Sequence, residues 1–238
     1  MVEEPQVSLP NLRPFRLFPE REPSPQDARY ADFLLEAHKL LSCRSDYVGL
    51  SAYGSQFTGV TTVQSDYDIL LIAGDSNVTT QESVEKKLER IAREKFGLKS
   101  GIPHFVDRDY FVHNFDQPDE DNYEYSHAAW RLAYPLIGDT RELCRLRRLL
   151  KHRHRARKRV APRHAEDSIY RALRDILFYE LNYSVERKGN GSLKVKPIKI
   201  LGTREKLLSR GYSVQELQKV AERRAEFWLK RLRRLFGD

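Results

Sequence analysis

Cysteine is nearly absent from this chain, with only Cys43 and Cys144 in 238 residues. That excludes a disulfide-stapled scaffold, and the two thiols are expected as small buried hydrophobes in a reducing compartment. Long apolar runs are also missing. None approaches the ~18 residues a membrane helix needs, and the acids and prolines of the first fifteen residues do not make a secretory signal. The expected setting is cytoplasmic, with no membrane partner. Aromatic residues are not scarce: 12 Tyr, 11 Phe and 2 Trp supply a core and exclude a disordered chain. Acids are scarce in one place. Arg141 to Arg163 holds eleven Lys and Arg against Glu142 alone, whereas the whole chain carries a net charge of only +8. The basic character is therefore one block. Its counterpart is Phe115 to Glu124, with five acids and no base.

Six prolines in the first 25 residues forbid a regular helix there and give an extended arm. Tyr30, Phe33, Leu34, Ala37, Leu40 and Leu41 then recur at helical spacing. Residues 46–53 read as a buried strand that ends at Gly54-Ser55. Residues 65–72 read as a central strand, through the run Ile69 to Ile72. Val84, Leu88, Ile91, Ala92 and Phe96 mark an amphipathic helix stopped by Gly97. Residues 103–112 give a third strand, and 126–137 a helix ended by Gly138. Beyond that point strands nearly cease. A basic helix covers 140–160, Pro162 interrupts it, Asp167 starts another helix, Lys188 to Ser192 is a flexible turn, and a last helix spans 214–236. Tyr179, Tyr183, Phe227 and Trp228 are expected in the core. The expected organisation is a Pro-rich arm over 1–25, an α/β (α+β) domain with a small mixed sheet over 26–140, and a basic helical domain over 141–238.

Chemistry concentrates at two places. Asp66 and Asp68 stand two apart at the head of a strand, so both point to one face. Two such close carboxylates repel unless cations neutralise them. Oxygen-only ligands suit Mg²⁺, which takes one or two carboxylates and completes its shell with water and substrate phosphate. A pair of ions would stand ~3.5–4 Å apart. Gly54 lets a phosphate approach the backbone, and the Ser55 hydroxyl is a donor to it. The second place is the basic block. Its charges repel one another, and a polyanion relieves this by releasing counterions. Lys151, Arg153, Arg155, Arg157, Lys158 and Arg159 are the candidate nucleic-acid contacts. His152, His154 and His164 lack cysteine partners at zinc spacing and read as solvated.

Gly54-Ser55, ten residues, then Asp66-Tyr67-Asp68 resembles the Gly-Ser-x10-Asp-x-Asp signature of the DNA polymerase beta-like nucleotidyltransferase superfamily. The likeness is greatest to its minimal nucleotidyltransferase branch and covers roughly residues 30 to 140. The resemblance implies that Gly54 and Ser55 hold a triphosphate and that Asp66 and Asp68 hold Mg²⁺ or Mn²⁺. It also implies a third carboxylate on a following strand, Asp107 or alternatively Asp109, that joins the metal site and helps activate the acceptor. The implied activity is transfer of a nucleoside monophosphate from an NTP, ATP favoured, to a hydroxyl, with release of pyrophosphate. The basic block makes RNA, including a tRNA end, the first acceptor. A protein acceptor, as in AMPylation, is the second and a small aminoglycoside-type acceptor the third. The contrasting reading is a non-catalytic RNA-binding or toxin-neutralising module with a vestigial site.

Overall fold

A computed structural model of the chain describes residues 25–58, 68–74, 78–99, 103–116, 123–198, 203–209 and 211–238. The Pro-rich arm, Asp66 and most of the acidic loop lie outside these residues. Helix α1 (Pro25–Ser42) buries Tyr30, Phe33, Leu34, Ala37 and Leu41, the stripe its spacing dictates. Strand β1 (Tyr47–Ala52) is buried along its whole length and runs into the short helix α2 (Gly54–Phe57). Strand β2 (Ile69–Ala73) is equally buried, and α3 (Val78–Phe96) crosses over to β3 (His104–Asp107). Then come α4 (Arg108–Asp116), α5 (Tyr123–Ala133) and the two-residue strand β4 (Ile137–Gly138).

The sheet runs β3-β2-β1-β4. β1 is antiparallel to β2 and β4, and β2 is parallel to β3, as a helical crossover requires. β4 can lie against β1 only because Gly138 has no side chain: a Cβ there would stand 2.1 Å from the Val48 carbonyl oxygen.

The second part begins with α6 (Thr140–Val160), whose N-cap Asp139 accepts from the amides of Arg141 and Glu142. Helix α7 (Pro162–Leu181) follows after one residue, with Pro162 at its first position. Strands β5 (Tyr183–Arg187) and β6 (Leu193–Pro197) pair antiparallel. Helix α8 (Thr203–Ser209) leads to α9 (Val214–Phe236), which opens on a reciprocal capping box between Ser213 and Glu216. α7 packs against α5, α6 and α9, and also receives α2. One apolar core runs through both parts, from Phe33 and Leu71 to Leu173 and Trp228.

Four expectations are corrected. The third strand stops at Asp107. That residue's carboxylate accepts from the Asp109 amide at 2.7 Å and starts α4, whose Phe111 and Phe115 recur at helical spacing on the buried side. The second part, expected almost wholly helical, also holds a β-hairpin. Tyr183, Val185 and Val195 alternate inward, and the Lys188–Ser192 segment is the turn of a β-hairpin closed by Lys188 N donating to Ser192 O at 2.9 Å. Pro162 opens α7 directly rather than leaving a gap before Asp167. Finally, Cys43 and Cys144 are both exposed: Cys43 lies in the turn just after α1, and Cys144 falls on the solvent side of α6.

Candidate functional site

The register Ala52↔Ile69 continues by one step, where the Tyr53 amide donates to the Asp68 carbonyl at 3.3 Å. Tyr53 and Asp68 are therefore cross-strand neighbours on one face, and Gly54-Ser55 follows immediately. Tyr30 Oη donates to the same Asp68 carbonyl at 2.6 Å and fixes the head of β2 from α1. Burial, and after it the charge of the nearby Asp68 carboxylate, hold the Tyr53 phenol well above its ordinary range.

Gly54 has φ +60, the left-handed region, and a Cβ there would meet the Tyr179 carbonyl at 3.4 Å. The corner rests on a buried foundation. Phe57 of α2 stacks edge-on to Tyr134 and beside Trp228, with centroids 5.1 and 5.7 Å away. Beneath them Arg224 holds Glu180 through two hydrogen bonds of 2.5 and 3.0 Å, and Trp228 Nε1 donates to the same carboxylate at 3.1 Å. Burial pushes the Glu180 carboxyl up, and Arg224 opposes that.

The parallel register Leu70↔His104 and Ala73↔Asp107 decides the third carboxylate. Asp107 stands level with Ala73, five residues along β2 from Asp68, which is about 16 Å toward the other end of the sheet. Asp109 lies in the first turn of α4, accepting from Arg108 Nε at 3.1 Å. Neither reaches Asp68. The β3 residues on the Asp68 face are His104 and Val106, of which His104 is the nearer to Asp68, and its ring lies 5.5 Å from that of Tyr53. Behind it sits Arg131 of α5, only 4% exposed. Arg131 Nε and Nη2 both point at His104 Nε2, at 3.1 and 2.8 Å. Nη2 also lies 2.9 Å from His127 Nε2, Nη1 donates to the His127 carbonyl, and His127 Nδ1 is 3.6 Å from the Asp175 carboxylate. A guanidinium only donates, so His104 Nε2 accepts and the imidazole proton resides on Nδ1. Burial, then the Arg131 charge, bring the His104 pKa down to about 4. Trp130 and Tyr179 complete an aromatic wall, with rings 5.3 Å apart. Tyr179 is 37% exposed, not a core residue as its spacing suggested.

Among the described residues no cluster of three or more His, Cys, Asp or Glu is placed to hold a metal ion. Asp68 can supply one carboxylate to a divalent ion completed by phosphate and water; Asp66, the other carboxylate of the pair, lies outside the described residues.

Helix α6 sorts the basic block into inward and outward sets. Leu143, Leu146, Leu150 and His154 are buried, so His154 is not the solvated residue its sequence context suggests. Arg157 lies 5.4 Å over the Tyr125 ring, Lys158 pairs with Asp238 at 2.6 Å, and Arg153 and Lys151 are half-buried. Of the six contacts expected from sequence, Arg155 and Arg159 stand exposed without a counter-charge among the described residues. Arg141, Arg145, Arg148 and His152 extend them at three- and four-residue steps, Arg145 being paired with Glu142 at 2.8 Å. This exposed stripe is about 27 Å long.

Sequence reasoning missed His104, Arg131 and the outer face of α6. A signal for the first existed: counting the crossover register from Asp68 would have reached Pro103 and His104 before Asp107. Among the described residues no helix is long and apolar enough to cross a membrane. No family model matches the chain, and no curated protein or solved structure matches it either.

Proposed function

We propose that this chain binds a nucleoside triphosphate, ATP favoured, with Mg²⁺ or Mn²⁺, and transfers the nucleoside monophosphate to a hydroxyl of RNA. The observation that carries this reading is the juxtaposition of Tyr53-Gly54-Ser55 at the end of β1 with Asp68 at the head of β2, fixed by the Tyr53–Asp68 ladder bond. A backbone corner without a side chain, a hydroxyl donor and a carboxylate then converge on one edge of a rigid, fully buried pair of strands.

The chain's own groups divide the work. Ser55 and the Gly54 corner orient the phosphates, and Asp68 carries the negative charge that fixes a divalent ion; Asp66 lies outside the described residues. When bound, the ion neutralises phosphate charge. The acceptor hydroxyl oxygen attacks the α-phosphorus and gives up its proton to water, a P–O bond forms, the bond to the β-phosphate oxygen breaks, and pyrophosphate leaves. Positioning and charge neutralisation supply the rate. The stripe from Arg141 to Arg159 supports RNA as the acceptor, since a run of exposed cations on one face suits a phosphate backbone.

The distance of Asp107 from Asp68 favours a second reading, a nucleotide- and RNA-binding module that does not turn over. Label transfer separates the two. The protein is incubated with each α-labelled triphosphate and Mg²⁺, with and without total RNA, and with Asp68→Asn as control. Label on RNA, lost in Asp68→Asn, supports the transferase. Label on protein alone moves the reading to AMPylation. Nucleotide and RNA binding without label supports the module.

A further inference from the structure

We propose that His104 is a phosphate-binding residue, its Nδ1–H donating to an oxygen of the triphosphate bound beside Asp68. This rests on the nucleotide-binding reading of the Asp68 face.

Three observations carry it. The first is position. His104 is level with Leu70, and Leu70 shares its strand face with Asp68, two residues back. The Tyr53 ring, on the same face, lies against His104.

The second is the locked tautomer. Two donors of Arg131 converge on Nε2 at 3.1 and 2.8 Å, so that nitrogen can neither ligate a metal ion nor take a proton while Arg131 stays in place. Arg131 is itself held by the His127 carbonyl and Nε2, with Asp175 behind His127. What remains at His104 is a donor, strengthened because its acceptor end is engaged by a cation. Among the described residues nothing accepts from Nδ1, and Nδ1 is not one of the sealed, unsatisfied atoms, so it reaches solvent.

The third is charge. Arg131 is a buried cation with no carboxylate in direct contact among the described residues. Asp175 offsets it only at one remove. A buried cation behind a neutral donor suits an anion and opposes a second divalent ion at the same spot. Arg131 thus adds positive charge directly behind the donor that faces the phosphate.

The test uses the full chain, Mn²⁺ and α,β-methylene-ATP in equilibrium dialysis, with bound Mn²⁺ and bound nucleotide both counted. The wild type is expected to bind nucleotide together with Mn²⁺. His104→Ala is expected to weaken nucleotide binding about tenfold to a hundredfold with the number of Mn²⁺ per bound nucleotide unchanged. His104→Asn, which keeps an N–H donor, is expected to restore most of the loss, and melting curves of both variants report their folding. His104→Ala binding as tightly as wild type, or losing Mn²⁺ from the nucleotide it still binds, overturns the proposal and leaves nucleotide binding standing. A wild type that binds no nucleotide overturns the nucleotide reading and the role of His104 with it.

Discussion

Replacing Arg224 by Met would strip the counter-charge from Glu180, which is 0% exposed. Arg224, 2% exposed, supplies the 2.5 and 3.0 Å bonds to that carboxylate, and without it the neutral donors Trp228 and Tyr134 are left to face the charge. Removing one partner of a buried pair costs about 3–5 kcal/mol, because the other is left charged in a dry site. For a chain of this size each kcal/mol lowers Tm by about 2–4 °C, so a fall of about 6–20 °C is expected. Adding Glu180→Gln removes the orphaned charge and should regain at least half of the loss. The deficit also depends on pH. Burial already raises the Glu180 carboxyl in the folded state, and losing Arg224 raises it further. The unfolded chain releases that proton first, so stability of the single variant falls as pH rises above the ordinary carboxylate range. The deficit should therefore be smaller at pH 5 than at pH 7. Urea unfolding followed by tryptophan fluorescence measures all of this, since Trp228 sits on the pair. A loss below about 1 kcal/mol for Arg224→Met, or a double variant as unstable as the two single losses combined, would refute the reasoning.

Other outcomes follow from the same geometry. Asp68→Asn should abolish Mg²⁺-dependent nucleotide binding. Asp107→Asn should leave that binding intact, and Asp107→Ala should cost only about 1 kcal/mol of stability through the lost cap of α4, by dialysis and melting respectively. Reversing Arg148, Arg155 and Arg159 to Glu should weaken RNA binding and reduce the slope of log K against log salt by about 2, whereas Arg157→Ala should leave the slope and reduce stability, having lost its stack on Tyr125. His104 has a folded pKa of about 4 against an ordinary 6.5, so the unfolded state takes up its proton first and stability falls as pH drops from 6.5 toward 4. The span is worth about 3 kcal/mol, and the pH profile of His104→Asn should be flatter by that amount.

The order of strands and helices around β2 was legible because its signals are local. Ile69 to Ile72 is a four-residue apolar run, and Val84, Leu88 and Ala92 repeat on one helical face. The Gly54–Asp68 neighbourhood was legible through chain spacing and the strand period of two. The failures all involve partners distant in sequence. Asp107 looks like a strand acid until the Asp109 amide claims its carboxylate. Arg157 and Lys158 look like solvent cations until Tyr125 and Asp238 fold back onto them. His104 looks unremarkable without the 27 residues that separate it from Arg131. The β5–β6 hairpin is a different case. Its alternation of Tyr183 and Val185 and its Asn190-Gly191 turn were readable, and the surrounding helical run overshadowed them.

The antiparallel pairing of β1 with β2 has a consequence for how such a site can change over generations. The ladder from Tyr47↔Ala73 to Ala52↔Ile69 already brings the end of one strand to the head of the next. The number of residues joining Ser55 to Asp68 is therefore not what sets their separation in space. A one-residue slip inside β1, by contrast, would turn Tyr53 away from Asp68 and break the site outright.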